Sequence, residues 1–257
     1  MLAEAATAAA NRTDVLAAIK QASAATGSDF NYLLDTAMRE SNLKPQAKSE
    51  TSSASGLFQF VDQTWLGLVK QHGAQYGLGS YASAISQDSD GRYRVDNPAD
   101  RQAILALRND PKISALMEGE YANQAKSTLE SSLGRGVCNG ELYAAHFLGP
   151  DAACRLIHMN GSTPSASAAA AFPQAAGANK NVFYHSDGSA KSVHEVYDWA
   201  LKQPSGAQLA STAPTAKPAK VGYVNNASPS DDWLASQMLD ATDSGGLSLN
   251  SQSPFVL

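Results

Sequence analysis

A chain of 257 residues, 43% hydrophobic and 17% charged, is long enough to bury one sizeable core and still leave a tail. Its 19 basic residues stand against 24 acidic ones for a net charge of −5, and no Lys/Arg cluster forms the footprint of a nucleic-acid binder. No apolar run is long enough for a transmembrane segment.

Residues 1–10 are Ala-rich and are expected to be a disordered N-terminus. The first six residues lack the basic and apolar regions of a signal peptide. Asn11 then reads as an N-cap, and Val15, Leu16 and Ile19 give the first helix its apolar stripe. Thr26-Gly27-Ser28 is a turn, and Ser28 or Asp29 caps a second helix that ends at Glu40. Phe30, Leu33, Leu34, Ala37 and Met38 supply its apolar face, and Glu40 projects toward the same side. A carboxylate there meets the negative end of the helix dipole and partial desolvation. Both disfavour its charged form, which suits a general acid. Pro45 stops any continuation.

Residues 44–56 form a polar loop, with a small β-hairpin expected somewhere in 44–60. The alternation of Leu57 and Gln59 against Phe58 and Phe60 reads as extended chain, and one phenylalanine is expected to line a groove while the other packs the core. Gly56 before them signals close backbone approach. A third helix carries Trp65, Leu66 and Val69 and stops at Gly73. Residues 73–96 look irregular, one wall of a groove. Asn97-Pro98 restarts helix, and Pro111 opens a longer one that Gly134 closes, with Ile113, Leu116, Met117 and Tyr121 inward. Asn139 caps a helix over 141–148, and residues 151–160 form another. Ser192-Val193-His194-Glu195 has the form of a capping box ahead of a last helix.

After Gln203 the composition turns to Pro, Ser, Ala, Thr and Gly, and 204–257 is expected to be a mostly disordered tail. Within it, residues 230–240 carry Trp233, Leu234, Met238 and Leu239 at near-helical spacing. They are either chance apolar residues or a short helix that docks on a protein partner. Residues 11–203 are therefore one mainly α domain. Two cysteines, Cys138 and Cys154, are compatible with one disulfide or with two free thiols. Five scattered histidines and two cysteines offer no metal-ligand spacing, so neither a metal nor another cofactor is expected.

Three stretches fall in a telling order: Glu40-Ser41, then Gly56-Leu57-Phe58-Gln59, then Ala145-His146-Phe147-Leu148-Gly149. Together they resemble the soluble lytic transglycosylase family, marked by Glu-Ser, Gly-Leu-Met-Gln and Ala-Tyr-Asn-x-Gly. The resemblance implies a lysozyme-like (goose-type) helical domain. It also implies cleavage of the β-1,4 bond between N-acetylmuramic acid and N-acetylglucosamine in peptidoglycan, leaving a 1,6-anhydromuramyl end. The third motif departs from the family, because His146 replaces Tyr and Phe147 replaces Asn. Its Ala-His-Phe-Leu-Gly-Pro form is similar to a bacterial subgroup of envelope proteins, some tied to flagellum or secretion-apparatus assembly. That places the chain in the periplasm or cell envelope, with peptidoglycan strands as its partner.

Ordinary glycosidases use two carboxylates. Only Glu40 sits in a recognisable setting here, and Asp35, Glu50, Asp62 and Glu141 do not displace it. One acid suffices if the sugar's own 6-hydroxyl is the nucleophile. Ser41 and Gln59 are candidates to bind substrate, Gln59 through an amide that both donates and accepts. Phe58, Tyr121 and Tyr143 are candidate aromatic walls, as are Phe183 and Tyr184, and His146 would bond Glu40 or the sugar. Two other classes stay open: a lysozyme-type hydrolase, and a glycan-binding or assembly adaptor with vestigial machinery.

Overall fold

The computed structural model describes residues 2–202, with side chains from residue 12 onward. The tail at 204–257, including the helix expected around Trp233, lies outside the described residues.

The chain begins with α1 (Leu2–Thr26), which runs through Asn11 instead of starting there. Alanine is the strongest helix former, and one asparagine costs too little to end such a run. Next comes α2 (Phe30–Ser41), capped by Asp29, which accepts the Tyr32 N–H at 2.8 Å. A loop leads to α3 (Asp62–His72), a 3₁₀ turn at Gly73–Tyr76 and the short α4 (Gly79–Ala84). The hairpin follows as β1 (Ser86–Gln87) and β2 (Tyr93–Arg94), antiparallel, with Ser86 opposite Arg94 and Gln87 opposite Tyr93.

That position corrects the expectation for 44–60, where only isolated bridges join Lys48 to Ser55 and Ser55 to Phe60. The turn after β1 is tied by Asp88, whose carboxylate accepts the N–H groups of Asp90 and Arg92. Residues 73–96 are thus partly regular, because polar turn chemistry hid two short strands.

Helices dominate the remainder: α5 (Pro98–Ala106), a 3₁₀ turn at Leu107–Asn109, α6 (Pro111–Leu133), α7 (Asn139–Leu148) and α8 (Pro150–Ser162). Three short helices, α9 (Ala168–Ala171), α10 (Pro173–Ala178) and α11 (Lys180–Phe183), precede α12 (Val193–Leu201). The residues before α12 form the expected capping box, with Ser192 and Glu195 satisfying each other's backbone N–H.

The core is built around α6, which packs against α1, α2, α3, α7 and α8. Asp110 caps it, Pro111 occupies its first position, and Gly134 ends it in a left-handed conformation. Gly119 lets α6 meet the α1–α2 corner, since a side chain there would run into Thr26. Ser28 locks the same corner by donating to the Gly119 carbonyl at 2.7 Å. Trp65, Tyr32, Phe58, Leu33 and Leu34 fill the interior beside it. Cys138 and Cys154 are both free, the first exposed and the second buried. Among the described residues no helix is long and apolar enough to cross a membrane.

Candidate active site

The site grows from the last turn of α2. Its apolar face is buried, which fixes how Glu40 is presented at the helix end. Asn42 and Leu43 then both adopt left-handed backbone, with φ of 52° and 60°. Their N–H groups return to the Met38 and Ala37 carbonyls at 3.0 and 3.2 Å, so the chain reverses directly after Glu40. Two non-glycine residues in this region cost on the order of 1 kcal/mol or more each, and such outliers gather at functional sites.

Ser41 faces inward rather than toward substrate. Its hydroxyl donates to the Leu57 carbonyl at 2.8 Å, with the Ala37 carbonyl 3.1 Å away, and accepts the Lys44 N–H. It pins the end of α2 to residues 56–59, which form a turn and not the extended segment that the alternation implied. Gly56 holds φ of 85°, and any side chain there would overlap the Arg108 carbonyl. Arg108 in turn donates to the Ser53 and Phe60 carbonyls at 2.7 and 2.9 Å and pairs with Asp62 at 2.9 Å. The loop is therefore cross-linked from below.

Gln59 is the third non-glycine residue with positive φ, at 53°. Its amide N–H groups go to the Gly56 and Ala47 carbonyls at 2.8 and 3.2 Å. Its Oε1 has no protein partner among the described residues, which leaves an acceptor for a sugar hydroxyl or an acetamido N–H.

These elements frame a groove of about 620 Å³. Glu40, Gln59, Phe60 and His146 line it, together with Ser49, Thr51 and Ser52 of the polar loop and Gln174, Ala175 and Asn179 in and just after α10. Glu40 is the one carboxylate among the described residues that line it, with its side chain 19% exposed. Asp62 is engaged with Arg101 and Arg108, and Glu141 is buried against Arg135. A second hollow of about 890 Å³ adjoins at Gly177, lined by Lys180, Tyr184, His185 and Lys191. Among the described residues its lining has no carboxyl group, so that lining offers no acid for bond cleavage.

Behind Glu40 stands α7. Tyr143 donates its hydroxyl to Glu40 Oε1 at 2.7 Å, and burial together with the Glu40 charge pushes that phenol's pKa upward. Glu40 Oε2 has no partner among the described residues and is the oxygen left for substrate. Arg39 stacks on Tyr143 at 3.7 Å and on Trp199 at 4.2 Å. It also donates to the carbonyls of Trp199, Ala200 and Lys202, holding the end of α12 against the site.

His146 lies between two acids. Its Nε2 is 3.8 Å from Glu40 Oε1, and its Nδ1 is 3.2 Å from Oε2 of Glu118 on α6. Burial pulls the imidazole's pKa down. The Glu118 charge in close contact, the Glu40 charge and the Phe58 backbone outweigh it, and the ring is held up to about 9.

The candidates thus divide. The structure brings Glu40, Gln59 and His146 to the groove and puts Tyr143 directly behind the acid. Phe58 is 0% exposed and Tyr121 is 1% exposed, the latter donating to the Ala145 carbonyl at 2.9 Å. Both are core residues, as is Phe183, and none can touch a sugar. Phe60, not Phe58, lines the groove: extended chain would put both on one face, and the turn at 56–59 separates them. Glu118, Tyr32 and the α10 wall were missed. A signal for Glu118 existed: it falls among Ser114, Tyr121 and Ala125 on the buried face of α6, where an acid is out of place. The α10 wall comes from an Ala-rich stretch with no chemical signature.

Residues 17–85 match the family model described as "Transglycosylase SLT domain". The matched segment contains Glu40, Ser41 and the 56–59 turn, while Glu118, Tyr143 and His146 fall beyond it. The mainly helical architecture agrees with the lysozyme-like fold expected of such a domain.

Proposed function

We propose, from the match of residues 17–85 to the transglycosylase SLT family model, that this chain is a lytic transglycosylase in which Glu40 acts alone as acid and base. A domain of this family speaks for peptidoglycan cleavage in general. The finer reading rests on one observation: Glu40 is the one carboxylate lining the groove among the described residues, with Oε1 held by Tyr143 and Oε2 open.

Glu40 Oε2 gives its proton to the oxygen of the β-1,4 bond between N-acetylmuramic acid and N-acetylglucosamine, and the C1–O bond breaks. The developing positive charge at C1 is met by the substrate's own N-acetyl carbonyl oxygen. The Glu40 carboxylate, still bonded to Tyr143, takes the proton of the muramyl 6-hydroxyl as that oxygen attacks C1. The product is a 1,6-anhydromuramyl end, and Glu40 is again protonated. Gln59 Oε1 supports the site as an acceptor for the sugar.

A lysozyme-type hydrolase by the usual two-carboxylate scheme needs a second acid near the bond. The groove supplies none among its described lining, which favours the intramolecular route. The Ala-His-Phe-Leu-Gly-Pro stretch at 145–150 supports a place in the cell envelope, with local wall opening for an envelope-spanning machine such as a flagellum or secretion apparatus. Loss of the gene should then impair that machine while leaving growth intact. A vestigial adaptor would bind glycan without turnover. Mass spectrometry of digested sacculi tests the chemistry: anhydro-muropeptides are expected, and reducing-end products alone would overturn it.

A further inference from the structure

Glu118 is 0% exposed, in the middle of α6, and touches His146, which lines the groove. A buried carboxylate costs several kcal/mol unless it is paired and hydrogen-bonded. Its Oε1 accepts the Tyr32 hydroxyl at 2.9 Å. Its Oε2 is 3.2 Å from His146 Nδ1, an ion-pair contact, and neither atom has a hydrogen-bond partner among the described residues, so each has only the other to face. His146 turns its other nitrogen toward Glu40 at 3.8 Å. Glu118 never meets the groove, yet through one ring it faces the acid that does.

We propose that Glu118 is a positioning residue for the cleavage reaction: from inside the core it holds His146 as an imidazolium turned toward Glu40. The proposal rests on the reading of Glu40 as acid and base. A buried histidine without a counter-charge is neutral. With Glu118 behind it the pair is neutral as a whole. Its positive end nevertheless points at Glu40. When Glu40 has given its proton to the leaving oxygen, the new carboxylate lies between that positive edge and the Tyr143 hydroxyl. It is stabilised until it takes the 6-hydroxyl proton back. Such preorganised charge, placed where charge develops, is the usual source of large rate effects.

The groups facing the ring are few. Glu118 and Tyr121 approach from α6, Glu40 from α2, the Phe58 backbone from the 56–59 turn, Phe60 from just after it, and Tyr143 stacks from α7 at 5.9 Å. The Arg39 guanidinium lies over the Tyr143 ring. The anionic partners are therefore Glu118 and Glu40, and Glu118 is the nearer.

Nitrogen NMR of the full chain labelled at histidine tests this without any activity assay, with His146→Gln identifying the signal. In wild type, His146 should read as imidazolium up to about pH 8, and in Glu118→Gln it should be neutral by about pH 6. A neutral imidazole at pH 7 in wild type, or the same titration in Glu118→Gln, would overturn the proposal. On sacculi, Glu118→Gln should lower kcat by roughly 10–100-fold with KM nearly unchanged. Added to His146→Gln, it should cost nothing further, because it acts through that ring. An unchanged kcat, or two losses that simply add, would also refute it. If Glu40→Gln retained turnover while the NMR result held, the reading of Glu40 would fall and the charge state of His146 would stand.

Discussion

Helix α6 builds the same three-residue device twice. Glu118 meets His146 and Tyr32, and Glu120, two positions on, meets His72 and Tyr76. The outcomes are opposite. His146 is held up to about 9, whereas burial outweighs the Glu120 charge and lowers the pKa of His72. Geometry accounts for the difference. His146 lies between two carboxylates, at 3.2 and 3.8 Å, while His72 has one, at 3.5 Å. His72 also spends Nε2 on Gln124 at 2.7 Å, within a network that ties α3 to α6. One trio stores a charge behind a groove and the other joins two helices. Composition alone does not separate a functional cluster from a structural one; what the second nitrogen faces does.

The widest gap between the two should come from neutralising each glutamate. Glu118→Gln is expected to lower kcat by roughly 10–100-fold, and Glu120→Gln to leave it within about twofold. Steady-state assays on purified sacculi check this, and equal losses would erase the distinction. The tyrosines should differ next. Tyr143→Phe removes the donor on Glu40 Oε1 and should reduce kcat by about tenfold with little change in KM. Tyr76→Phe should cost only about 1 kcal/mol of stability, read by chemical denaturation.

The smallest contrast is in pH dependence. His146 has a folded pKa above the unfolded value of about 6.5, so it contributes stability that is complete below that pH. That stability is lost as pH rises through about 9. His72 has a lowered pKa, so its contribution is complete above about pH 6.5 and is lost on acidification. Thermal melts across this range should show an alkaline fall of roughly 5 °C that His146→Gln removes, and an acid fall that His72→Gln reduces. Identical profiles in wild type and both variants would contradict this account of the two rings.

Much of this was legible in the chain where the cause is local. Asp29, Pro111 and the Ser192–Glu195 box mark helix starts by their own side chains. The end of α2, which presents Glu40, follows from one apolar face and the nearby Pro45. What stayed hidden depends on distant partners. Tyr143 reaches Glu40 from another helix, and Glu118 finds His146 only when α6 and α7 pack. Phe58 and Phe60 alternate in sequence as strand residues would. The positive φ at Gln59 and the close approach of Gly56 to Arg108 bend them into a turn, and neither constraint is visible in residue types alone. The hairpin was displaced for a similar reason: the polar loop at 44–56 carries turn residues but is held by Arg108, not by strand pairing.

The central claim is that Glu40 alone moves the proton in both directions. Its most direct test is product analysis of sacculi digested by wild type and by Glu40→Gln at equal binding. The account predicts 1,6-anhydro-muropeptides from wild type and a loss of at least about a thousandfold in the variant, with glycan still bound. Anhydro products from Glu40→Gln at a comparable rate would contradict it.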